Sequence, residues 1–396
     1  MQKLSPGLLV ALAFFSSVAP FGIDMYLPGM PSLASELGAS PAVAQLTITG
    51  FMLGMAVGNL LFGAISDGTG RKPQIVGAAA VFLAASVLCA VSPSIWLLVA
   101  ARFVQGLAAG SLEAVSRAVV ADVSKGRQAA RALSGLMALT GFVPAIAPVL
   151  GGALLPVVGW RGLFWVLTAI NVVQAIMAFR MPETLPAEGR SSGTLRSLFP
   201  RMWQCLRRPA FVGFMLAGGL GFGALFAYIS ASPLVLQSQL GLGATTYALI
   251  FGGMALLIPV SNTMNMRMLK RYHPRTLLIG ALLIDAIAAL ILLTFAFTTP
   301  SLWVLPFLAV LSFMGGFVMA NASALAIEEV RDIGAGAGSG ALGFFQFLVA
   351  GAVPPLVALG TNHMSSMGLG TLICAGLALA AVLLLTTTHE LSEDAA

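Results

Sequence analysis

The chain has 396 residues, 58% of them hydrophobic and 9% charged, with a formal net charge of +6. A soluble domain carries roughly 25% charged residues because its surface faces water, so a chain this apolar, with a mean hydropathy of +0.96, cannot cover a soluble surface of its length. The positive charge is divided among the loops between apolar runs, which argues against a nucleic-acid face.

Apolar runs predict an all-α membrane protein, since about 20 residues of helix cross the hydrocarbon and a helix satisfies its own backbone there. The short alternating segments of a membrane barrel are missing. Twelve spans are read at 7–30, 43–65, 74–93, 95–119, 131–156, 162–181, 210–236, 244–268, 276–297, 302–327, 335–360 and 367–387. Lys3 and the run after it resemble a signal peptide, but the run continues through Asp24-Met25-Tyr26-Leu27-Pro28 and is taken as the first span. The second span carries Gly50, Gly54 and Gly58, small residues four apart that let helices approach closely; ordinary packing and a sliding face both remain open. A loop follows, Gly63-Ala-Ile-Ser-Asp67-Gly-Thr-Gly70-Arg71-Lys72, in which the glycines allow a tight turn.

The fourth span places Arg102, Gln105, Gly106, Ala109 and Glu113 on one face at about 100° per residue. An arginine inside a span is costly and a functional candidate by default; a carboxylate partner is expected for Arg102. Glu113 stands four residues before Arg117, which reads either as an i,i+4 ion pair or as a proton or cationic-substrate site. The fifth span contains Gly141, Pro144, Pro148, Gly151 and Gly152, and its prolines remove backbone donors and bend it. Residues 182–209 form the longest polar stretch, a linker between an N-terminal six-helix bundle (1–181) and a C-terminal one (210–396). The Gly77-Ala78 and Gly280-Ala281 entries to the third and ninth spans are offset by 203 residues, as paired repeats would be. The basic residues cluster in alternate loops, with Arg161 alone on the opposite side, so both termini and the linker are expected in the cytoplasm. The three cysteines, Cys89, Cys205 and Cys374, have no metal spacing.

The loop from Gly63 to Lys72 resembles the signature loop of the major facilitator superfamily, with Gly68 standing where that family has a basic residue. Arg102-Phe-Val-Gln105-Gly106 is similar to its Arg-x-x-Gln-Gly motif, and Gly141 to Gly152 to the antiporter motif of exporters, with Ala147 replacing a glycine. Asp24 to Pro28, Trp160-Arg161 and Pro182-Glu183-Thr184 look like the bicyclomycin-resistance (Bcr/CflA) branch of drug:proton antiporters, as does the stretch from Ala320-Asn321-Ala322 to Gly334-Ala-Gly-Ala-Gly. The resemblance implies the major facilitator fold in two six-helix bundles and a cytoplasmic latch of Gly63, Asp67, Gly70, Arg71 and Asp122. It further implies proton coupling through Asp24, Arg102 and Glu113, with Asp285 as the other acid in a span. Tyr26, Gln105, Phe51, Met55, Met137, Phe222 and Phe226 are candidates for an apolar substrate cavity, although Met and Phe serve packing as readily. The expected activity is proton-coupled efflux of chloramphenicol-, bicyclomycin- or sulfonamide-type molecules by alternating access. No cofactor or metal is expected, the proton gradient supplies the energy, and the expected state is a monomer in the bilayer of a bacterial inner membrane. An exporter of an endogenous metabolite such as an amino acid, sugar or purine is the alternative. A membrane enzyme is a distant one, since His273, His363 and His389 fall far apart.

Overall fold

A computed structural model describes residues 6–124, 126–190, 194–297 and 302–386. Lys3, Lys125, His389 and the acidic tail (Glu390, Glu393, Asp394) lie outside them, as do the side chains of Arg127, Arg131 and Arg196. The described chain is helical, with no strand among the described residues. Among the described residues eleven apolar segments are long enough to cross a membrane, and one of them, Gly135–Arg180, runs for 46 residues, enough for two crossings. Gly159 breaks it with a left-handed φ of 64°, so ten single crossings and one double crossing make twelve.

The first span is not one helix. It runs as α1 (Pro6–Ser16), α2 (Val18–Asp24), a 3-10 turn at Leu27–Gly29 and α3 (Met30–Glu36). Pro28 lies inside the 3-10 turn, where its missing N–H forbids a continuous α-helix. The next three crossings are α4 (Pro41–Thr69), α5 (Arg71–Ala90) and α6 (Ile95–Val123). Ser40 and Ser94 accept hydrogen bonds from the N–H groups of Val43 and Leu97, capping α4 and α6 as N-cap serines do. Both helices extend beyond the apolar runs, because their last turns carry polar residues that hydropathy does not register.

The fifth crossing is α7 (Gly126–Gly141) with α8 (Val143–Arg180) up to Gly159, and the sixth is the rest of α8. The expected proline bend is a break between these helices at Gly141 and Phe142. Pro144 falls in the first turn of α8, where an N–H has no helical partner to lose; Pro148 and Pro156 lie inside α8. At the Gly159 turn, Trp160 Nε1 donates to Glu36 at 2.7 Å and Arg161 pairs with the same carboxylate. Arg161 also donates to the Ser92 carbonyl at 3.0 Å, so this lone basic residue closes one end of the bundle.

The linker contains a short helix, α9 (Thr194–Leu206). The remaining crossings are α10 (Pro209–Pro233), extended by a π turn at Leu234–Gln239, then α11 (Ala244–Ala255) with α12 (Leu257–Met268), α13 (Pro274–Ala296), α14 (Leu305–Glu329), α15 (Ala335–Ala358) and α16 (His363–Leu385). The chain forms two compact units. The first comprises the chain up to Ser197 with Ala244–Gly252, and the second comprises Leu198–Gly243 with the chain from Gly253. Ala244–Gly252 packs within the first unit, where Gly152 faces Ala248 and the Ala244 carbonyl.

In the first unit α4 and α6 lie backbone to backbone. A Cβ on Gly54 would strike the Phe103 carbonyl, one on Gly58 that of Leu107, and one on Gly106 that of Phe51. The second unit packs α10 against α14, α15 and α16 around Phe211, Phe214, Leu278, Phe317 and Val382. Asn321 Nδ2 donates to Asn265 Oδ1 at 2.8 Å between α14 and α12, which satisfies a buried amide inside that core.

Candidate functional site

Arg102 is fully buried in α6. Its guanidinium lies 4.2 Å from the Phe51 ring centroid, 4.6 Å from that of Tyr26 and 5.9 Å from that of Phe164. All three are within the range in which a ring face attracts a cation. Nη1 donates to Gln105 Oε1 at 2.6 Å. Gln105 Nε2 donates to Ser86 Oγ at 2.8 Å, and Asn171 Nδ2 donates to the same oxygen at 3.0 Å. Tyr26 is fixed in turn by a 2.9 Å hydrogen bond between its hydroxyl and Thr47 Oγ1. Arg102 Nε and Nη2 have no hydrogen-bond partner among the described residues. The site is therefore a buried cation held by aromatic rings and amides from the first, second, third, fourth and sixth crossings.

In this arrangement the expected carboxylate is not beside the guanidinium. None of the ion pairs among the described residues includes Arg102. Glu113 pairs with Arg117 at 2.7 Å, which is the i,i+4 reading of that residue. Arg102 and Glu113 share a helix face, but eleven residues at 1.5 Å rise set them roughly 16 Å apart along the axis. Asp24 is buried at the end of α2 and makes no ion pair among the described residues. The turn through Leu27–Gly29 brings Tyr26 over the guanidinium instead.

The cavity residues divide. Tyr26, Phe51 and Gln105 belong to the arginine cage, and Met55 is packed at the meeting of α4 and α6, where its carbonyl lies 2.5 Å from a Cβ built on Gly110. All four are closed off from solvent, because glycine contact leaves no space between those helices. Met137 is 68% exposed on α7, beside exposed Leu139 and Phe142. In the second unit Phe222 stacks edge-on against Phe226 at 4.9 Å and Phe347 at 6.0 Å. Gly151 abuts the Met25 carbonyl, so the Gly141 to Gly152 stretch seats the fifth crossing against the first.

The signature loop forms a second cluster. Gly70 ends α4 and starts α5 with φ of 101°, a left-handed conformation that favours glycine. Gly63, in contrast, lies inside α4, where a Cβ would make only a 3.6 Å contact with Ala114; it is not needed for the turn. Arg71 Nη1 meets Asp67 Oδ1 at 2.6 Å and Ser66 Oγ at 2.6 Å. Its Nε and Nη2 grip Asp122 at 2.8 and 3.3 Å, the fork geometry that suits arginine and carboxylate.

Sequence reasoning missed the second half of this cluster. Glu183 accepts from the N–H groups of Arg71 at 2.9 Å and Lys72 at 3.3 Å, so it caps α5. It also accepts from Thr184 and Leu185, each at 3.0 Å, and Arg190 stands 3.6 Å away. Burial works against this charge, but the four backbone donors hold the carboxyl below the usual glutamate range. A Cβ on Gly70 would come within 2.5 Å of Glu183 Oε2 and 2.7 Å of Arg190 Nη2. The signal was the Pro182-Glu183-Thr184 motif, separated from the loop by more than a hundred residues.

Residues 12–355 match the Major Facilitator Superfamily. An uncharacterized MFS-type transporter, YdgK of Bacillus subtilis, is 34% identical over 373 residues, 92% of each chain. The multidrug resistance protein MdtL of Escherichia coli is 32% identical over 331 residues, 83% of this chain and 82% of its own. In structure, an inward-facing bacterial homolog of the human lysosomal transporter Spinster aligns with a TM-score of 0.79 at 14% identity, covering 97% of this chain and 98% of its own. The Escherichia coli xylose transporter XylE aligns with a TM-score of 0.70 at 15% identity, covering 95% and 96%. A match over most of the chain, joined to a helical architecture shared with solved transporters, makes this protein a membrane transporter of the major facilitator superfamily.

Proposed function

We propose that the chain exports small drug-like molecules, of chloramphenicol, bicyclomycin or sulfonamide type, in exchange for protons across a bacterial inner membrane. Its resemblance to the Bcr/CflA branch and its kinship with proteins named for multidrug resistance support the substrate class. The observation that carries the reading is a buried arginine and a buried acid, Arg102 and Asp24, in one unit and neither in an ion pair among the described residues. Ionisable groups inside spans are expensive and mark ion and substrate paths. Asp24 exchanges the proton; when ionised it competes with the aromatic rings for the Arg102 guanidinium, and when protonated it leaves the guanidinium to the cage. Glu113, paired with Arg117, is the second acid of the path. The proton gradient is the energy source, both termini face the cytoplasm, and the Asp67–Arg71–Asp122 latch holds one state of the alternating cycle. The working form is a monomer of two bundles (1–181 and 210–396) joined by the linker.

Expression in an efflux-deficient bacterium, with a panel of antibiotics and metabolites, tests the substrate. Resistance to at least one drug is expected; transport of a metabolite with no resistance would replace this reading with the metabolite exporter. In inverted vesicles, Asp24→Asn is expected to abolish proton-dependent drug uptake. Full activity in that variant would remove Asp24 from the proton path.

A further inference from the structure

The linker helix α9 faces two environments. Cys205, fully buried, and Met202 hold it to the core of the second unit. Phe199, Trp203 and Leu206 are 55%, 59% and 38% exposed, and their spacing puts them on one side of the helix. Gln204 and Arg201 lie farther around the helix, and Arg207 and Arg208 follow just past its end. With Asp332 and Ile333 they line an open depression of about 640 Å³.

The charges there do not balance. Arg208 is held by Asp332 through both nitrogens and by the Glu329 carbonyl. Arg201 and Arg207 make no ion pair among the described residues, and Arg207 lies over the Trp203 ring at 5.8 Å. From Gly189 to Ile284 the sequence contains no acidic residue. Two guanidinium groups with no ion pair among the described residues therefore stand beside an exposed face of phenylalanine, tryptophan and leucine. A soluble anion would use the arginines and leave that face in water. A lipid meets both demands: a phosphodiester suits the arginine fork, and aromatic side chains settle at the headgroup level. Amphipathic helices with a basic flank bind anionic membranes by this combination.

We propose that α9 and the adjoining arginine depression bind the phosphate of an anionic phospholipid in the leaflet on the linker's side, with Phe199 and Trp203 seated among its headgroups. Native mass spectrometry of the purified full chain tests this, titrating phosphatidylglycerol, phosphatidylcholine and inorganic phosphate against wild type, R201Q/R207Q and R201K/R207K. Wild type is expected to retain one more phosphatidylglycerol than R201Q/R207Q, with about thirtyfold tighter binding, given roughly 1 kcal/mol for each of the two basic residues near a membrane surface. Phosphatidylcholine should not distinguish the two, R201K/R207K should keep most of the binding, and inorganic phosphate should not displace the lipid. Equal phosphatidylglycerol retention by wild type and R201Q/R207Q would overturn the proposal. So would displacement by inorganic phosphate, which would mark a free-anion site. If R201Q/R207Q does not yield folded protein, the exposed single variants R207Q and W203A carry the same test, each expected to weaken binding several-fold.

Discussion

Arg102 lies among rings and amides, and two of its nitrogens have no hydrogen-bond partner among the described residues. Replacing buried ionic groups by well-packed apolar side chains of similar volume is often neutral or stabilising, because burying charge is costly. Arg102→Met is therefore expected to leave the unfolding free energy unchanged or raise it by about 1–4 kcal/mol while eliminating transport, measured by thermal unfolding in detergent beside vesicle uptake. A fall of several kcal/mol would show the cage to be structural. Glu183 has the opposite character, an acid whose four backbone donors favour its charged form. A depressed pKa gives stability that is present above the unfolded value of about 4.3 and is lost as pH falls through the folded value. Glu183→Gln should thus lower the melting temperature at pH 7, and the gap from wild type should close below about pH 4. Neither role was legible from neighbours in the chain. The rings around Arg102 come from three crossings, and Glu183 meets a loop on the far side of the first unit's sequence.

The twelve crossings were legible because each apolar run is about as long as the hydrocarbon is thick. Their ends were not. Ser66 and Asp67 close α4, and Asp122 sits in the last turn of α6, all polar residues past the point where hydropathy stops. The interruptions in the first and fifth crossings follow from Pro28 and from Gly141 ahead of Pro144, but sequence alone does not say whether a proline bends a helix or starts the next one. The Gly50, Gly54 and Gly58 ladder left packing and sliding open, and the structure shows it meshed with the backbone of α6. Gly54→Leu must push two backbones apart, so it is expected to cost at least about 3 kcal/mol and to sharply reduce the yield of monodisperse protein. Gly77→Leu, where nothing lies within 4 Å of the added Cβ, serves as the neutral comparison. Equal yields from both would show that the ladder tolerates separation.

Across the whole molecule, composition alone declared a membrane protein, and the signature loop, the intramembrane arginine and the proline-glycine stretch carried the resemblance to transporters. The contacts that unite those motifs, from the arginine cage to the Glu183 cap, required the assembled helices. The meshed glycines also have a mechanical meaning. With carbonyls of one helix seated in the glycine notches of the other, α4 and α6 form a girder with no gap in which to shear. Cys89, Cys205 and Cys374 are buried, so spin labels can be directed to Thr69→Cys on α4 and Ala121→Cys on α6. The distance between them should stay the same whether substrate is present or the pH is changed. Whatever moves as this transporter works must carry both helices together, as one stiff member.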